Sequence, residues 1–174
     1  NFIQDAVDTV AIAPSATSWP SGLTSGTDIV FQVGGAAVQL DYDPVIYSFR
    51  GDYAIQSSVG RFSTLTLSGS GPGGGWIQTG GNTTGGGINI KFGPNGEYEG
   101  LFYMASGATL QVNGDVSANG ITKFGAGVLN IAQDQSDLGR GPGLGYNNGW
   151  VVNEGQLTAS VFGALGNAVA SNTV

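Results

Sequence analysis

Two stretches constrain this chain more than any others: Gly120-Ile-Thr-Lys-Phe-Gly-Ala-Gly-Val-Leu-Asn-Ile131 and Trp150-Val-Val-Asn-Glu-Gly-Gln-Leu-Thr-Ala159. Each reads as a short strand, a glycine-bearing bend and a second short strand. The apolar residues of the second strand alternate, Leu129 and Ile131 against Val128 and Asn130, so each strand buries one face.

The same device recurs along the chain. The alternating pairs Leu65/Leu67, Ile88/Ile90, Leu110/Val112, Leu129/Ile131 and Leu157/Ala159 have first members spaced by 23, 22, 19 and 28 residues, 23 on average. A recurrence in this range marks a solenoid, and strands joined by glycine turns without a 3.6-residue apolar period make it a β-solenoid. The sequence therefore predicts an all-β fold, a right-handed parallel β-helix with rungs of about 20–28 residues, its hand following the crossover rule for parallel strands. Leu, Ile and Val would stack into apolar columns between rungs, with Thr, Asn and Gln outward or in ladders. The competing fold is a β-sandwich of antiparallel strands with turn signals every ~8–12 residues.

The pattern resembles the autotransporter-associated β-strand repeat of bacterial type V secreted surface proteins. Ile121, Thr122, Lys123, Gly125, Gly127, Leu129 and Ile131 match its first part, and Val152, Gly155, Leu157, Ala164, Leu165 and Gly166 its second. The linker departs from it, because Asp137 to Gly149 replaces a shorter turn and suggests a protruding loop. Pro44-Val-Ile-Tyr-Ser-Phe49, the Arg50-Gly51-Asp52 turn, Tyr53-Ala-Ile-Gln56 and Ser63-Thr-Leu-Thr-Leu67 give a looser echo of the coil that precedes the repeat in such passenger domains. The resemblance implies a passenger segment at the bacterial cell surface or secreted, with the translocator outside this sequence. The family carries adhesins, toxins and inert stalks on the same coils, so the likeness speaks to architecture before activity.

Composition narrows the chemistry. The 174 residues include no Cys and no His, which rules out disulfides, Cys- or His-ligated zinc and histidine-based catalysis. Net charge is -7 and the five basic residues, Arg50, Arg61, Lys91, Lys123 and Arg140, are scattered singly; a nucleic-acid partner needs them clustered. No apolar run approaches the ~18–20 residues of a membrane-spanning helix, so no direct membrane insertion by this segment is expected. The beginning lacks the basic and apolar regions of a leader, and the end lacks alternating barrel strands. Thirty-two glycines could signal disorder, but an apolar fraction of 40% gives the strands enough surface to bury.

The chain reads as one solenoid segment over 1–174, with a lead-in at 1–27, looser coils at 28–119 and the best repeat match at 120–166. The lead-in holds a strand at Asp5 to Ile12 and a surface loop around Trp19. Strands follow at Asp28–Val33, Ala37–Leu40, Pro44–Phe49, Tyr53–Gln56, Ser63–Leu67, Trp76–Gln78, Ile88–Phe92, Leu101–Met104 and Ala108–Val112. Glycine passages at 69–75 and 80–87 separate them.

Candidate sites are few. Arg50, Gly51 and Asp52 spell the tripeptide that integrin receptors read on exposed turns, which would make this turn an adhesion site; the alternative is a bend needed by the coil, with Gly for positive φ and Asp for local backbone bonding. Asp41/Asp43 and Glu97/Glu99 each put two carboxylates on one strand face, the pairing used by polysaccharide-active β-helix enzymes to bind calcium or act as acid and base; solvated strand edges are the favoured reading. Trp19, Trp76, Trp150, Tyr98, Phe102 and Tyr103 would form a sugar-stacking platform if they faced outward, and would fill corners if inward. No catalytic residue, metal site or cofactor is assigned.

The expected role is that of a non-catalytic structural or adhesive passenger segment, extracellular or at the bacterial surface, with a host-cell or matrix receptor as partner. The alternatives are a filament subunit that self-associates end to end through its strand edges, and a polysaccharide-binding or polysaccharide-cleaving protein.

Overall fold

The computed structural model describes residues 8–13, 16, 18–32, 37–68, 74–80, 82–85, 87–135 and 149–166. Alternating apolar residues between glycine corners fold into short strands: β1 (Asp8–Ile12), β2 (Asp28–Gln32), β3 (Val38–Leu40), β4 (Val45–Ile46), β5 (Ser48–Gly51), β6 (Ile55–Ser57), β7 (Ser63–Leu67), β8 (Gly75–Gln78) and β9 (Asn82–Gly85). They continue as β10 (Ile88–Phe92), β11 (Gly100–Met104), β12 (Thr109–Val112), β13 (Val116–Ser117), β14 (Ile121–Phe124), β15 (Val128–Ile131), β16 (Trp150–Val152) and β17 (Gln156–Ala159). No helix occurs among the described residues. The protein is all-β.

Every strand pair is parallel. One sheet has seven strands in the order β1-β2-β5-β8-β11-β14-β16; two have four, β4-β7-β10-β13 and β9-β12-β15-β17; and β3 pairs with β6. After each strand from β2 to β11 in the large sheet, the chain visits one strand of each of two smaller sheets and returns in parallel. Successive partners in the large sheet lie 19 to 29 residues apart, as in Ile29↔Ser48 and Ile121↔Trp150.

Burial follows the alternation. In β10, Ile88, Ile90 and Phe92 are buried while Asn89 and Lys91 are half-exposed. The register then sets buried residues side by side: Ile46 on Leu67 and Leu67 on Phe92, Leu65 on Ile90 and Ile90 on Val116, and Leu110 on Leu129, with the half-buried Leu157 on Leu129. In the large sheet, one inward column runs Val30, Phe49, Trp76, Phe102, Lys123. Its rings meet edge to face, with Phe49 and Trp76 centroids 4.7 Å apart at 62°, while Phe92 of the facing wall meets Phe102 at 5.3 Å. Fully burying a Phe contributes up to about 3 kcal/mol, and edge-to-face rings add about 1 kcal/mol beyond their area.

Polar side chains are used where the ladder needs them. The outward Gln111 and Asn130 are register partners, and the Asn130 amide donates to Gln111 Oε1 at 3.2 Å. Beside β13, the buried Gln135 side chain stands in for a peptide unit: its Oε1 accepts from Val116 N at 2.8 Å and its Nε2 donates to the Gly114 carbonyl at 3.0 Å.

The sequence reading is corrected at several points. The single strand expected at Pro44–Phe49 is two, β4 and β5, in different sheets; the break falls at the buried Tyr47, whose N–H donates to the Asp28 carbonyl at 2.8 Å. The glycine passage at 80–87 contains β9. The aligned pairs mix two walls: Leu65 partners Ile90, in the β7–β10 ladder, while Leu110, Leu129 and Leu157 belong to another sheet. Alternation fixes which residues point inward, but not which wall carries them. Trp19 is 4% exposed, not a surface loop residue. Its backbone N–H donates to Gln39 O at 2.9 Å and its ring lies 5.8 Å from that of Phe49. The polyglycine run at 69–73 and most of the expected loop at 137–149 lie outside the described residues.

Candidate functional site

Arg50, Gly51 and Asp52 do not form a projecting turn. Arg50 and Gly51 end β5, inside the seven-stranded sheet, and the bend begins only at Asp52. Gly51 is there because a Cβ would lie 2.4 Å from the Phe49 ring. Arg50 points outward with its guanidinium 5.9 Å from the Phe31 ring centroid, close enough for a cation–π attraction. The three residues are adjacent in sequence, but only Arg50 presents a functional group from the sheet face.

The acidic pairs lie in bends between strands. Asp43 pairs with Arg61 at 3.1 Å and accepts from Thr64 N at 2.9 Å, so it holds a corner. Glu97 accepts from Asn95 N at 2.7 Å, and Glu99 accepts from the Thr122 hydroxyl. Among the described residues, no three carboxylates gather as a metal ion would require. The aromatic platform is not assembled: Trp19, Trp76, Phe102 and Trp150 are buried, leaving Tyr103 exposed at 46% and Tyr98 half-buried.

Two other features carry chemistry. The first is Lys123, whose side chain is fully buried. Its Nζ donates to the carbonyls of Gly125 and Glu154, each at 2.7 Å, and more weakly to Phe124 O at 3.4 Å. One ammonium thus ties the bend after β14 to the bend after β16. Gly125 (φ +76°) supplies the left-handed turn, and Gly155 leaves room for the ammonium, since a Cβ there would sit 2.7 Å from Nζ. Burial pushes the Lys123 pKa down, and the neighbouring Glu154 charge opposes that shift. The motif residues were legible as a pattern; the reason for lysine was not, because its acceptors are backbone carbonyls.

The second is an open groove of about 660 Å³ along the outer face of the seven-stranded sheet. The register that stacks Phe49, Trp76 and Phe102 inward stacks Arg50, Ile77, Tyr103 and Phe124 outward. Leu101 widens the apolar floor, and Glu154 closes the far end. Each residue comes from a different strand or bend except Leu101 and Tyr103, so no local motif announces them.

The chain matches no family model, no curated protein and no solved structure. Its chemistry therefore has to be read from its own residues. The groove presents apolar surface with few polar groups, an arrangement suited to recognition, and the Lys123 corner is a structural device that satisfies the carbonyls of two bends.

Proposed function

We propose that the chain is a right-handed parallel β-helix acting as a non-catalytic structural and adhesive segment of a bacterial cell-surface or secreted protein, of the autotransporter passenger kind. The observation that carries this reading is the Lys123 corner. Lys123, Gly125, Gly127 and Gly155 of the repeat-like pattern all meet at one corner between successive passes of the chain, where Gln156 N donates to Gly127 O at 3.2 Å and Asn153 N to Lys123 O at 3.0 Å. A motif spent on joining one pass to the next belongs to a stack that serves as a scaffold. The right hand follows from parallel strands with crossover connections.

Intact cells making the parent protein, treated with protease and probed with antibody to this segment, test the location. Loss of the segment without lysis is expected; protection until the cells are broken would overturn it.

A second reading, a filament subunit, draws on the outermost strand of the large sheet. Val151 and Val152 in β16 are 50% and 40% exposed, and Phe162 beyond β17 is 96% exposed. Light scattering across a concentration series separates the two readings: a constant monomer mass sinks the filament.

A further inference from the structure

We propose that the groove on the outer face of the seven-stranded sheet binds an extended peptide of about seven residues, acidic at one end, basic at the other and apolar between. The site is a property of the sheet and stands whether or not the segment reaches a cell surface.

The charges set the ends. Arg50 lies at one end of the groove and Glu154 at the other. Among the described residues the ion pair is Arg61 with Asp43, and neither Arg50 nor Glu154 enters one. Arg50 holds its guanidinium against Phe31 by ring contact alone, which leaves its N–H groups to meet a carboxylate. Glu154 hydrogen-bonds Lys123 through its backbone carbonyl, while its exposed carboxylate lies near the Lys123 charge without forming an ion pair and is open to a ligand cation.

The spacing sets the length. Arg50 is on β5 and Glu154 follows β16, four steps along the sheet order. At about 4.8 Å per step the ends are roughly 19 Å apart, and an extended chain rising about 3.3 Å per residue covers this in six steps. Six is even, so residues 1 and 7 face the same side, together with 3 and 5. The matching ligand has charged residues at 1 and 7 and apolar ones at 3 and 5, over Phe124, Tyr103 and Ile77.

The floor favours a peptide over a glycan. Ile77, Leu101 and Phe124 offer no hydrogen bond, so sugar hydroxyls pressed against them would lose water without replacement. An extended peptide lowers alternate side chains into the groove and keeps its amides sideways, in water.

The test uses the ¹⁵N-labelled chain and three probes observed by NMR titration: Ac-Lys-Thr-Val-Thr-Leu-Thr-Asp-NH₂, the same peptide with Lys at both ends, and the same with Asp at both ends. Cellohexaose is the fourth probe. The opposite-charge peptide is expected to shift the Ile77, Tyr103 and Phe124 amides and to bind at least tenfold more tightly than either like-charge peptide. Arg50→Glu is expected to move the preference to the Lys/Lys peptide. Should that variant not fold, Glu154→Lys is expected to move it to the Asp/Asp peptide. Equal affinities for the three peptides, shifts confined to other surfaces, no binding at millimolar concentration, or shifts with cellohexaose alone would each overturn the proposal.

Discussion

Phe49, Trp76 and Phe102 occupy three successive positions of one inward column, and the next is Lys123. The middle of the sheet fills this column with rings, whose packing satisfies no backbone group. At Lys123 the same position reaches out of the column to the carbonyls of two bends. The difference shows that a stacked sheet must close two accounts, apolar volume between its walls and polar groups at its corners, and that one column serves either need.

The comparison can be broken at its apolar half first. Trp76→Ala is expected to cost about 3–5 kcal/mol in urea unfolding, from lost burial plus the cavity left behind; a cost below that of the Lys123 variant would mean that rings do not dominate. Lys123→Met keeps the stem but strands the buried Gly125 carbonyl and the part-buried Glu154 carbonyl, and about 2 kcal/mol is expected to be lost by the same assay.

Gly155→Ala is expected to cost about 1–2 kcal/mol, because φ +75° is strained for alanine and its Cβ would press on the carbonyls of Gly125 and Gly127 at 2.5 Å. In the Lys123→Met background the extra cost should change, since the two sites are in contact; strict additivity would show that ammonium and glycine are not one device.

The pH dependence sharpens the same contrast. The folded pKa of Lys123 is lowered, chiefly by burial. Between that value and the ordinary lysine pKa of about 10.4, the unfolded chain holds a proton that the folded chain has lost, so this group makes stability rise with pH. The advantage of wild type over Lys123→Met is expected to grow as pH rises from neutral towards the ordinary lysine pKa of about 10.4, measured as the shift in urea midpoint. Smallest of all, Phe62→Ser is expected to leave stability within about 0.5 kcal/mol, because the ring is 81% exposed in the bend before β7.

Much of the fold was legible in particular residues. The alternation in Ile88-Asn89-Ile90-Lys91-Phe92 and in Val128 to Ile131 predicted strands where β10 and β15 lie. The expected outward polar ladder is present at Gln111 and Asn130. The pairing was harder to read. Partners recur at 19 to 29 residues, so corners of unequal length hide which wall a strand joins, as they did for Ile88 and Leu110. Tyr47 could not be recognised as a corner from its own apolar neighbourhood. The groove was not legible at all, because Arg50, Ile77, Tyr103 and Phe124 become neighbours only through the register of four strands.

The parallel ladders also decide how the molecule bears load. Hydrogen bonds between strands lie across the strands and along the sheet order, so tension along that order pulls on the bonds of one junction at a time, whereas tension along the strands shears a whole ladder together. Where Lys123 spans the bends after β14 and β16, the junction carries one further bond beside the ladder, from Nζ to the Glu154 carbonyl. A chain anchored at one end and tugged from the other would yield strand by strand, with that lysine as the stop nearest to β16.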